Sequence, residues 1–168
     1  LSTRGGAAGL MVGEETRGVA WGLRNLVDAA AYLPDADPLK AYFADKVRTN
    51  LAWADDFART QKGAWGVAWH GTFYDADTSH FAVRPWTYDY LAWSLHHAHR
   101  QGFTGGEEWL KQIVDFRLAW LANPDHREQA AIYTLPVDGN DAPGDYFNTF
   151  VDDNWVKSHY WPDLMLTV

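Results

Sequence analysis

Tryptophan set beside alanine, again and again on helical patterns, is the most informative feature of this chain. Ten tryptophans occur in 168 residues, and the Ala-Trp step recurs at Ala20-Trp21, Ala52-Trp53, Ala64-Trp65, Ala68-Trp69, Ala92-Trp93 and Ala119-Trp120. Most of these steps lie on segments with helical periodicity. A large ring beside a small residue lets one helix carry the ring while the neighbouring backbone comes close, which suits antiparallel helix pairs. The same flat rings are surfaces on which sugars stack.

The periodicity predicts two helical hairpins. In the first helix, from about Glu15 to Leu33, the residues Val19, Leu23, Leu26, Val27, Ala30 and Leu33 lie along one stripe. Pro34 ends it, and Asp37-Pro38 supplies an N-cap and a first-turn proline for a second helix. That helix carries Leu39, Tyr42, Phe43, Val47, Leu51, Ala54 and Phe57. So short a connection makes the two helices antiparallel neighbours. Trp86, Tyr90, Trp93 and His97 mark a stripe on a third helix, which stops at Gly102. Thr104 and Glu107 have the spacing of a capping box for a fourth, running through Trp109, Ile113, Phe116 and Trp120 to Asn123-Pro124. The two hairpins are spaced by about 70 residues, as in helical arrays. Between them, Gly63 to Pro85 reads as a loop, with a short hairpin as an alternative within it, and Ala131 to Gly144 as another loop. Tyr146 to Lys157 reads as a short helix. The expected fold is therefore all-α, a single domain over 1–168 with long aromatic-rich loops.

Composition narrows the function. The net charge of −8 opposes a general nucleic-acid surface, and no apolar run approaches the roughly 18 residues that span a bilayer. With no cysteine there are no disulfides or thiolate metal sites. The ends of the sequence, Leu1-Ser2-Thr3 and Leu166-Thr167-Val168, read as those of a fragment of a longer protein. Its compartment is not legible. Self-association through exposed apolar surface is an expectation for such a fragment.

The densest polar and aromatic cluster runs from Trp69 to His80 and into Arg84–Tyr90. It supplies His70, Tyr74, Arg84 and Asp89 as candidate catalytic groups, because acid–base chemistry needs titratable groups with divergent surroundings. Trp65, Trp69, Trp86, Tyr88 and His80 are candidate substrate-binding residues. The alternative is a solvated loop in which Asp75 and Asp77 make turns and Trp86 packs. Glu14 and Glu15 either point into a cleft or pair with nearby arginines. Arg24, flanked by Leu23 and Leu26, reads as an anchor for a carboxylate or carbonyl between helices. His96, His97 and His99 lack the spacing and the third ligand of a zinc site, so no metal is expected; His97 is expected to pack with Trp93 and His99 to be exposed. Asp152-Asp153-Asn154 lacks the pattern of a calcium loop. No phosphate loop or dinucleotide fingerprint is present, and no cofactor is expected.

The segments Arg17-Gly18-Val19-Ala20-Trp21-Gly22-Leu23-Arg24 and Arg84-Pro85-Trp86-Thr87-Tyr88-Asp89-Tyr90-Leu91-Ala92-Trp93 resemble parts of an α/α toroid, over roughly Glu15 to Asn123. Six-hairpin glycosidases and toroidal polysaccharide lyases have this shape. The resemblance implies an incomplete toroid and an oligosaccharide ligand. A lyase of this kind would use Tyr74, with His70 or His80, to move a proton, and Arg84 to neutralise a substrate carboxylate. A hydrolase would use Asp89 with one of Glu14, Glu15, Asp75 or Asp77. The competing reading is a non-catalytic helical-repeat module for sugar or protein binding, or a scaffold whose rings fill gaps between helices.

Overall fold

The computed structural model describes residue 9 and residues 15–62, 66–71, 73–75, 80–122, 135–138 and 149–150. At 73–75, 80–82, 135–138 and 149–150 it describes the backbone alone. Two antiparallel helical hairpins form the body. The first pairs α1 (Thr16–Tyr32) with α2 (Pro38–Thr60), and the second pairs α3 (Pro85–Arg100) with α4 (Glu107–Ala122). The predicted start of α2 holds: Asp37 accepts a hydrogen bond from the Leu39 amide, with Pro38 in the first turn. Gly102 ends the second hairpin's first helix at a φ of 85°.

The hairpins stack side by side, α1 against α3 and α2 against α4. Helices α1 and α3 are parallel and in register. Six contacts climb them in step: Glu15–Arg84, Arg17–Trp86, Trp21–Tyr90, Arg24–Trp93, Asp28–His97 and Tyr32–Gln101. Each partner lies 69 positions after the first residue. The starts of α1 and α3 (85 − 16) and of α2 and α4 (107 − 38) are separated by the same 69.

Side-chain size explains the close approach. The inward faces carry Ala20, Val27 and Ala30 on α1, and Thr87, Ser94 and Ala98 on α3, all buried. Small residues there bring the axes together and leave the large rings at the edge of the contact. The α1 stripe is buried as expected through Val19, Leu23, Leu26, Val27 and Ala30. On α3 the expected stripe is the wrong one. Leu91 and Leu95 are buried, whereas Trp93 is 46% exposed. On α2, Leu39 and Tyr42 are also exposed, because α4 begins only beside Asp55, well down that helix.

The start of α4 departs from the predicted capping box. The helix begins at Glu107, whose carboxylate accepts from the Gly105 amide, and Asp55 of α2 accepts from the Glu108 amide at 3.0 Å. A cap from another helix has no local signature in sequence. Gly106 sits at a φ of +79°, and a Cβ there would lie 2.8 Å from Leu95 Cδ2 and 3.0 Å from Leu51 Cδ2. Gly106→Ala is therefore expected to cost about 2 kcal/mol, from overpacking and left-handed backbone together. Urea unfolding measures it.

Short strands supplement the helices. β1 (Phe73–Asp75), β2 (His80–Val83), β3 (Leu135–Asp138) and β4 (Thr149–Phe150) pair antiparallel in that order. Tyr74 stands opposite Phe81, Asp75 opposite His80, and Val83 opposite Leu135. The expected loop over 131–144 thus contains a strand, and the expected helix over 146–157 contains the extended pair β4. Among the described residues no helix is long and apolar enough to cross a membrane. On α4, Val114, Leu118 and Leu121 stay exposed along one stripe.

Candidate functional site

Part of the expected loop is a buried wedge. Val67 and Ala68 are wholly buried and Trp69 nearly so. An extended segment inside helices must satisfy its amides without a ladder partner at every residue. Side chains of α4 and two other helices do so here. Gln112 accepts from the Ala68 amide at 3.0 Å and donates to Ala58 of α2, while the Trp109 indole N–H donates to the Ala68 carbonyl at 2.9 Å. Two residues on, the Tyr88 hydroxyl accepts from the His70 amide at 2.6 Å and donates to the His70 carbonyl. Thr16 of α1 donates to that same carbonyl.

His70 is thereby fixed by four helices. Its backbone is held from α1 and α3, and its ring meets Trp53 and Phe57 of α2 and Trp109 of α4 edge-on, at centroid distances of 5.7, 5.5 and 6.2 Å. Burial among these rings disfavours the charged imidazolium and lowers the His70 pKa to about 4. Its Nδ1 meets no hydrogen-bond partner among the described residues. His70 is a neutral imidazole at pH 7.

The remaining sequence candidates are dispersed. Trp69 packs at right angles on Tyr88 and Phe116, at 4.8 and 5.0 Å. Tyr88 is buried, which pushes its hydroxyl pKa well above the usual range. These two rings belong to the core and present no face to a ligand. Arg84 turns to α1 and pairs with Glu15 at 3.3 Å, and Glu15 also pairs with Arg17. Asp89 turns to α4, where Arg117 holds both carboxylate oxygens at 2.7 and 2.9 Å. The structure does not bring Asp89 and Arg84 together. Tyr74 and His80 are described in backbone only, on β1 and β2, and Trp65, Glu14 and Asp77 lie outside the described residues.

A second grouping forms on the open side of the α1–α3 contact. Trp86, Trp21, Tyr90 and Trp93 line this seam, interleaved with Arg17, Arg24, Asp28 and His97. Trp21 meets Tyr90 at 5.0 Å, and Tyr90 meets Trp93 at 5.5 Å. The Arg24 guanidinium lies 3.9 Å from the Trp93 ring centroid, and it also pairs with Asp28 of its own helix at 3.5 Å. Arg24 thus reaches between the helices to a ring, where the sequence reading gave it a carboxylate or carbonyl. His97 lies against Trp93, as expected, with Nε2 2.7 Å from Asp28. His99 is not exposed as expected: its ring lies 2.9 Å from the Gly105 carbonyl at the hairpin turn. Among the described residues no group of three metal-binding side chains forms. Trp21 at 53% and Trp93 at 46% are more exposed than rings of that size usually are in a folded domain.

Sequence reasoning missed most of this seam because its members come from two helices. The available signal was the near-70-residue spacing, which places Arg17 beside Trp86 and Arg24 beside Trp93. No protein-family model, curated protein or solved structure shows a significant match to the chain.

Proposed function

We propose that the chain is a segment of an α/α hairpin array, of the toroidal kind its sequence resembles, and that the α1/α3 seam binds carbohydrate. The carrying observation is the run of half-exposed indole rings interleaved with planar polar groups along two parallel helices. A pyranose has an apolar face that stacks on an indole and a rim of hydroxyls. Guanidinium and carboxylate groups meet that rim with charge-assisted hydrogen bonds, and an imidazole adds a further hydrogen-bonding group. The seam offers both at close spacing.

The described side chains favour binding over catalysis at this place. Glu15, at the foot of the seam, is engaged by two arginines, while Asp89 is held by Arg117 of α4 and the His70 ring sits in its aromatic cage, both away from the seam. A glycosidase or lyase activity of the kind the toroid resemblance implies would draw on groups beyond the seam. One observation favours a scaffold instead: every seam ring already touches a partner across the helices.

Calorimetric titration with cello-, manno- and chito-oligosaccharides and oligogalacturonates separates these readings. The expected result is saturable binding by at least one series, weakened at least tenfold in Trp21→Ala or Trp93→Ala, about 1.4 kcal/mol. Both variants keep the helical circular-dichroism spectrum of the parent. Silence across the panel, with both variants merely less stable, would make the seam an inter-hairpin joint only.

A further inference from the structure

Resting on the carbohydrate reading of the seam, we infer that its ligand is an unbranched oligosaccharide lying along the axes of α1 and α3, one sugar unit per row of the seam. The register carries this. Because the two helices are parallel and offset by a constant 69 residues, their contacts fall in successive rows rather than in a ring around a pocket. Arg17 faces Trp86, Trp21 faces Tyr90, Arg24 faces Trp93, Asp28 faces His97, and Tyr32 faces Gln101. Rows succeed one another every three or four residues, about 4.5–6 Å of helix rise, a spacing that matches the advance of one pyranose in an extended chain. From Arg17 to Tyr32 the rows span about 22 Å. Three of the five rows, Arg17–Trp86, Arg24–Trp93 and Tyr32–Gln101, pair an aromatic ring with a hydrogen-bonding group; the Trp21–Tyr90 row adds rings and the Asp28–His97 row adds polar groups between them.

Among the described residues the surface is also open, unlike a monosaccharide site, which encloses its ligand. A cleft of about 670 Å³ among the described residues lies at the hairpin turns, between Lys40, Arg48 and Phe103. Only Gln101, in the last row, also lines it. A branched chain would carry a side unit across the row beside it, where the next ring or guanidinium already stands.

A ladder of one to six units from each of the four series tests the inference, with a branched xyloglucan heptasaccharide as comparison. Affinity is expected to rise at least tenfold from the monosaccharide to the tetramer and to level off near the pentamer. The branched compound is expected to bind at least tenfold more weakly than the linear pentamer. Tyr32→Ala, at the far row, lowers pentamer affinity severalfold and leaves dimer affinity within twofold. Binding with no dependence on length, or a branched ligand bound as tightly as the linear one, overturns the inference while leaving the carbohydrate reading standing. No binding by any series overturns both.

Discussion

Replacing Trp109 with alanine is expected to remove about 4 kcal/mol of stability, the largest single loss for any side chain described. The indole is fully buried between the hairpins, in contact with Phe57, Trp53 and His70. Deleting a buried tryptophan costs about 3–5 kcal/mol in lost burial and cavity formation. Its N–H is also a donor to the wedge, so the Ala68 carbonyl loses a partner in a buried place. A typical domain is stable by about 5–15 kcal/mol, so this variant sits close to the threshold of folding. Trp109→Phe separates the two contributions: it keeps most of the ring, loses the donor, and is expected to cost about half as much. Urea midpoints at constant slope measure both. A Trp109→Ala cost below about 1 kcal/mol would mean that α4 is not joined to the wedge as described.

The second large effect is a pH dependence. Burial holds the folded-state pKa of His70 at about 4, well below the ordinary histidine value of 6.5. Between these values the unfolded chain binds a proton that the folded chain refuses. His70 therefore contributes nothing unfavourable above about pH 7, and stability falls as pH drops from 6.5 toward 4. The loss approaches about 3 kcal/mol at the acid end of that window. His70→Phe removes the titration and preserves an aromatic ring in the cage. Stability curves of parent and variant are expected to run parallel above pH 7 and to diverge below 6.5, the variant retaining more. Parallel curves down to pH 4 would show His70 open to solvent.

The parts of the fold that sequence made legible are those set by local chemistry. The α1 stripe, the Asp37-Pro38 start, the Gly102 stop and the α4 stripe of Trp109, Ile113, Phe116 and Trp120 each follow from short-range spacing. What escaped was set by partners far away in the chain. On α3 the large rings at 86, 90 and 93 outweighed Ser94 and Ala98 in the pattern, yet small residues are what a close parallel contact buries. The wedge at 67–70 looked like a polar loop because its hydrogen bonds come from Gln112, Trp109, Tyr88 and Thr16, up to 54 residues away. The α4 cap came from Asp55 in the same way. The candidate site shifted for this reason too. Trp69 and Tyr88 are neighbours of His70, as their sequence proximity suggested, but they form the buried support for it. The exposed rings belong to a seam between helices that sequence spacing hinted at only through its near-70-residue interval.

The most direct test of the seam is a ¹H–¹⁵N spectrum of the ten indole N–H groups, recorded with and without the tightest-binding oligosaccharide and assigned by single Trp→Phe variants. If α1 and α3 form a sugar-binding surface, the Trp21 and Trp93 resonances shift in a saturable way, while the buried Trp69 and Trp109 resonances stay in place. Stationary Trp21 and Trp93 signals, or shifts confined to the buried indoles, would contradict a sugar-binding surface between α1 and α3.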